Sequence, residues 1–239
     1  MPRVLILGGT GDARRLAGLL VNSYDVVSSL AGRVRSPLLP PGDVRIGGFG
    51  GVAGLAAYLD GFDAVVDATH PFASQMSSHA AAACSVAGVP LVVLQRPGWE
   101  AVPGDHWVRV PTVADVVPVL SWRRVFLTTG ARGLDAFAEC DQWFLIRVVD
   151  PPSAVLPPHS SVLLARGPFT YEDEVALLRS HRIDVIVTKD SGGHATYPKL
   201  AAARSLGLPV VMVDRPPLPV GVATVGSPGA AEGWLRQNL

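Results

Sequence analysis

No excess of charge of either sign is present. Lys plus Arg number 20, Asp plus Glu number 20, and the formal net charge is zero. Nucleic-acid and membrane-surface binders carry a basic excess, so neither partner is expected, and an anionic ligand must be met by a local cluster of cations. Cysteine is nearly missing. Cys84 and Cys140 are the only two, they match no zinc spacing, and they are expected as free thiols of a cytoplasmic protein that binds no metal. No apolar run approaches the roughly 20 residues that span a bilayer. The first residues enter a strand-like run without a basic segment and cleavage site, so no signal peptide is expected.

Several catalytic signatures are also absent. Four positions after Tyr24, Tyr58, Tyr171 and Tyr197 stand Ser28, Phe62, Val175 and Ala201, so the Tyr-x-x-x-Lys pair of short-chain dehydrogenases is missing. There is no G-x-x-x-x-G-K-[ST] phosphate loop and no G-x-S-x-G nucleophile elbow.

The composition that remains is that of a buried core: 49% of residues are hydrophobic and 17% charged, the opposite of a disordered chain. Short Val/Ile/Leu runs alternate with Ala/Leu-rich segments. Strands are expected at 4–7, 26–29, 64–67, 91–94, 125–128, 144–149, 162–165, 185–188 and 210–213. Helices are expected near 12–22, 52–59, 73–87, 113–120, 171–181, 199–206 and 229–237. The runs are continuous rather than alternating, which indicates parallel strands covered on both faces. The fold expected is α/β, with two Rossmann-like halves, mostly parallel sheets and an interdomain cleft. The Pro- and Gly-rich stretch from Arg96 to Asp105 has no periodicity and reads as the crossing, giving domains 1–104 and 105–239. Gly88 to Pro97 (GVPLVVLQRP) and Gly207 to Pro216 (GLPVVMVDRP) echo one another. Related halves would produce that echo; so would convergent strand-entry chemistry.

The chemistry-bearing residues follow strands. The first strand runs into Gly8, Gly9, Thr10 and Gly11, then a helix. Glycines let a backbone approach a phosphate, and a helix N-terminus offers unpaired N–H groups. After the second strand an NAD enzyme carries an acid for the ribose hydroxyl. Here Ser29 and Arg33 stand in an acid-free loop, which points to the 2′-phosphate of NADP, although an ordinary basic surface loop would look similar. The third loop holds Thr69, a candidate cofactor contact that could also cap the next helix, and His70, a candidate ligand contact and catalytic acid. The second half supplies Arg132, Arg166 and Phe169, then Lys189, Ser191 and Gly192, then Tyr197. Cations, a hydroxyl and a glycine nest at one sheet edge suit carboxylates, with Phe169 and Tyr197 as ring contacts. A degenerate structural half is the plainer reading of the same loops.

Taken in order, these segments resemble the precorrin-6A reductase family: Ile6–Thr10, Ser29–Arg33, Asp67–Phe72, Arg96–Trp99, Leu127–Gly130, Gly167–Phe169, Thr188–Gly192 and Tyr197–Leu200. The chain departs from the family's usual residues at Asp12 (often Glu) and Asp190 (often Asn). The resemblance implies hydride transfer from NADPH to a C=C bond of the precorrin-6A macrocycle, giving precorrin-6B on the route to cobalamin (vitamin B12). A cobalt-containing substrate is the close alternative. A reductase of another conjugated polycarboxylate and a non-enzymatic NADP sensor are the others. Other corrin-pathway enzymes are conceivable partners for substrate channelling.

Overall fold

The computed structural model describes residues 1–32 and 35–239. Its strands are β1 (Arg3–Leu7), β2 (Asp25–Leu30), β3 (Asp43–Ile46), β4 (Ala64–Asp67), β5 (Leu91–Leu94), β6 (Trp107–Val110), β7 (Arg124–Leu127), β8 (Trp143–Val148), β9 (Ser160–Leu164), β10 (Val185–Lys189), β11 (Val210–Val213) and β12 (Ala223–Val225). Its α-helices are α1 (Gly11–Leu20), α2 (Val52–Tyr58), α3 (Ser74–Ala87), α4 (Tyr171–Ser180), α5 (Pro198–Ser205) and α6 (Pro228–Asn238). The strands form two six-stranded sheets, ordered β12-β5-β4-β1-β2-β3 and β6-β11-β10-β7-β8-β9. Every ladder among the described residues is parallel, as the continuous apolar runs required.

The chain divides into two compact units, Met1–Pro97 with Pro216–Leu239, and Gly98–Arg215. This differs from the 1–104 and 105–239 division read from the sequence. After β5 the chain crosses at Arg96-Pro97 and its next strand, β6, lies beside β11. After β11 it crosses back at Arg215-Pro216, and β12 lies beside β5. The two echoing segments therefore hold equivalent strands, and each exits through Arg-Pro into the other unit's sheet. Hydrophobic burial explains the return: Ala231 and Leu235 of α6 are fully buried with Leu16 and Leu20 of α1. The opposite face of the first sheet is filled by Leu55 and Leu59 at α2 and Ala80 and Ala83 of α3. In the second unit Leu178, Leu200 and Ala203 cover Phe126, Ile186 and Met212.

Two local expectations are corrected. Residues 113–120 are not an α-helix; Ala114–Val119 is a 3-10 helix with Pro118 inside it, and proline withholds the N–H an α-turn needs. Thr69 does not cap α3. Its N–H and Oγ1 both donate to Asp67 Oδ1, at 3.0 and 2.7 Å. The Ala73 N–H closes a turn onto His70 O, so the helix starts only at Ser74 with Ala73 at its N-cap.

Candidate functional site

In an open parallel sheet, ligands bind beyond the C-terminal strand ends where the strand order reverses. In the first unit that point lies between β1 and β4, and Gly8–Gly11 and Ala68–Phe72 flank it. Gly8 N–H donates to Ser29 O at 2.9 Å, fastening the first loop to the end of β2. Gly9 has a φ of 108°, a conformation that other residues adopt only under strain. Thr10 caps α1: its Oγ1 accepts from Ala13 N–H at 3.0 Å and donates to Ala68 O at 2.8 Å. One hydroxyl thus ties together the two loops that flank the reversal. Asp12, in the first turn of α1, is buried and is neutralised by Arg96 Nη1 at 2.7 Å and by Arg15.

Beyond β4, Asp67 is 1% exposed. Besides Thr69 it accepts from Ser77 Oγ at 2.5 Å. Burial first, then this carboxylate, push the nearby Cys84 thiol up to about 12, so it is inert at neutral pH. His70 Nδ1 accepts the Phe72 N–H at 3.2 Å. That bond uses the lone pair of Nδ1 and fixes the ring against its own backbone.

Ser29 Oγ accepts from Arg45 Nη1 at 3.1 Å. Arg45 lies on β3, directly across the ladder from Ser29. Arg33 lies outside the described residues.

The second unit repeats the pattern about β7 and β10. Arg132 follows β7, and Lys189, Ser191 and Gly192 close or follow β10. Arg166 and Phe169 follow β9, and Tyr197 precedes α5. Arg132 and Arg166 are exposed, whereas Lys189 is half-buried and burial lowers its pKa. Gly192 and Gly193 have φ values of 64° and 77°, a conformation that glycine adopts without strain.

Asp190 is the fixed point of this loop. Its Oδ1 accepts from Trp99 N–H at 2.9 Å and its Oδ2 from Arg109 Nη2 at 2.8 Å. Arg215 Nε donates to its carbonyl at 2.8 Å. Burial works against the Arg109 charge, but the bonds to Asp190 and Asp214 outweigh it and raise its pKa. Trp99 Nε1 donates to Gly193 O at 3.0 Å. Trp99 and Asp190 therefore brace the loop.

Two ring-contact candidates are already engaged. Phe169 lies over the Arg147 guanidinium, 3.7 Å from ring centroid to Cζ. The Tyr197 hydroxyl accepts from Arg204 at 2.8 Å, and its ring tilts against Trp99. Behind them Arg147 pairs with Glu174 at 2.6 Å. Lys199 is 3% exposed and donates to Thr196 O at 2.8 Å.

Arg45, Arg109 and the Arg147–Glu174 pair lie in no segment singled out from the sequence, and Asp67 and Lys199, although inside such segments, had been given no role. Only Arg45 had a usable signal: Gly47, Gly48, Gly50 and Gly51 follow it, a second glycine run after a strand.

The family model for precorrin-6x reductase CbiJ/CobK matches residues 3–236. The chain belongs to the precorrin-6x reductase family. A precorrin-6A reductase of Rhodococcus erythropolis is 56% identical over 242 residues, covering 98% of each chain. A solved structure of the CobK precorrin-6A reductase superposes with a TM-score of 0.94 at 46% identity, covering 100% of this chain and 97% of that one. A cobalt-precorrin-6A reductase of Priestia megaterium is 29% identical over 238 residues, covering 91% of this chain and 92% of its own.

Proposed function

We propose that this chain reduces a C=C bond of the precorrin-6A macrocycle to give precorrin-6B, with NADPH as hydride donor, in the cytoplasm. The observation that carries the reading is the full-length match to precorrin-6A reductases at 56% identity, set against 29% to a protein named for the cobalt form. That contrast favours the metal-free substrate.

The first unit's residues fit the dinucleotide. Gly9, in a conformation reserved for glycine, and the capped start of α1 leave backbone N–H groups for the diphosphate, with Thr69 beside the same strand ends. Ser29, together with Arg33, suits a phosphorylated ribose and offers no acid to repel it. The cofactor supplies hydride when bound, and the protein supplies position and electrostatics. Orientation alone can contribute roughly 7–11 kcal/mol toward the barrier.

The second unit's Lys189, Arg132, Arg166, Ser191 and Gly192 answer the acetate and propionate groups of the macrocycle. Tyr197 and Phe169 border them, held in place by Arg204 and Arg147. His70 keeps Nδ1 on its own backbone. Its part is to hold and orient substrate, with solvent completing the proton count.

Loss of nicotinamide absorbance in the presence of precorrin-6A, cobalt-precorrin-6A and unrelated conjugated polycarboxylates tests the reading. Turnover of precorrin-6A in preference to the others is expected. Binding of NADPH without turnover of any substrate would instead identify a sensor.

A further inference from the structure

We propose that Arg45 is the cation that recognises the 2′-phosphate of the cofactor, with Ser29 beside it. The inference rests on NADPH occupying the first unit, and it assigns a residue that lies 16 positions from Ser29 in the chain but beside it in the sheet.

The observations are local to the end of the first sheet. Arg45 stands across the parallel ladder from Ser29. Its Nη1 donates to Ser29 Oγ at 3.1 Å and to Gly47 O at 3.0 Å, and its Nη2 donates to Gly48 O at 3.0 Å. The guanidinium lies 3.9 Å from the Phe49 ring centroid and 5.0 Å from that of Tyr58. All of these partners are neutral, and among the described residues Arg45 has no carboxylate partner. Elsewhere in the same unit the arginines Arg3, Arg15, Arg96 and Arg236 each pair with an acid.

A guanidinium has five N–H donors. Three are used here, which leaves the Nε–H and one Nη2–H without an acceptor among the described residues. A charge fixed in direction, stacked on an aromatic ring and lacking a counter-ion is a preorganised anion site. The anion that belongs beside the end of the second strand is a ribose phosphate.

The chain also invests in this placement. Gly47, Gly50 and Gly51 have φ values of 122°, 81° and 90°, and these turns bring two carbonyls and Phe49 around the side chain. A Cβ at Gly54 of α2 would lie 1.7 Å from Phe49 O, so the glycine there lets the loop settle onto the helix. A loop needed only to join β3 to α2 would not require an unpaired cation at its centre.

Calorimetric Kd values for NADPH and NADH, measured on the full chain and on Arg45→Gln and Arg45→Lys, test the assignment. The wild type is expected to prefer NADPH. Arg45→Gln should weaken NADPH roughly ten- to hundred-fold while NADH changes by less than about threefold, the scale of one charged phosphate contact. It should also flatten the salt dependence of NADPH binding. Arg45→Lys should recover part of the preference, because it restores the charge without the fork. The fragments 2′,5′-ADP and ADP should repeat the contrast without a nicotinamide. Equal losses for both cofactors in the Gln and Lys variants would make Arg45 a loop brace and overturn the assignment. A wild-type preference that survives in both variants would overturn it while leaving the cofactor reading intact. A wild type with no preference for NADPH would overturn both.

Discussion

A single lysine records how dry the second unit is. Lys199 is buried over the Trp99 ring. Burial, and then the Arg147 charge, pull its pKa from 10.5 down to about 7, with Glu174 acting the other way. In the unfolded chain a lysine stays protonated to about pH 10.4. Between those two values the unfolded state binds more protons, so stability rises with pH across that window and levels off below it. Lys199→Met should remove this slope. Its stability relative to wild type, from urea unfolding, should shift in the variant's favour by on the order of a few kcal/mol as pH falls from about 10 to 7. A difference that does not change with pH would mean that Lys199 titrates in the folded protein as it does in the unfolded chain, charged and hydrated across the window.

Residues differed in how far the sequence disclosed them. Gly9 and Thr10 were legible as a tight turn and a helix cap, because a glycine loop between strand and helix has few geometries open to it. Arg45 was not, because its partner Ser29 is 16 positions away and only the ladder between β2 and β3 brings them together. Asp190 stood out only as a departure from the family's usual Asn. Arg109 of β6 and Arg215, just past β11, bind it from segments that no local pattern links to it.

At the scale of elements, two tight contacts set what can be changed. Arg147 of β8 and Glu174 of α4 are 7% and 1% exposed. Removing one partner of a buried pair strands the other charge, at a cost of about 3–5 kcal/mol. Glu174→Leu should lower the unfolding midpoint accordingly. Adding Arg147→Met should restore most of the loss, and a double-mutant cycle reads the coupling directly. The second contact is Gly54. Alanine is normally favoured over glycine inside a helix by about 1 kcal/mol. Here the new Cβ would meet the Phe49 carbonyl, so Gly54→Ala should lower the melting temperature and weaken NADPH binding. A stabilised variant would refute the steric argument.

The strands missed from the sequence, β3, β6 and β12, are four, four and three residues long. All three lie at sheet edges, where one side of the strand is solvated and the burial pattern fades. Central strands carry unbroken Val/Ile/Leu runs because helices cover both faces, and these were all legible.

For the molecule as a whole, the crossing near residue 100 was legible because Pro and Gly interrupt every periodicity there. The second crossing was not, since Arg215-Pro216 looks like an ordinary loop and β12 is too short to announce itself. Its consequence is that residues near the C-terminus carry unusual weight. Leu235 is fully buried, so Leu235→Ala should cost about 2–5 kcal/mol, measurable by chemical denaturation. A chain ending at Arg215 should lose NADPH binding, although every residue proposed to touch NADPH remains. Retention of tight binding by that chain would show that the first unit closes without β12 and α6.

The double crossing also bears on the order in which the protein is made. Domains of most multidomain chains fold as they leave the ribosome, the N-terminal one first. Here the sheet of the second unit has all its strands once Val213 has emerged, whereas the sheet of the first unit waits for Ala223–Val225 and the helix after it. The part that is translated first is completed last. Through most of synthesis the flank of β5 and the apolar face of α1 stay uncovered, so the nascent chain meets the cell's chaperones with its first unit still open.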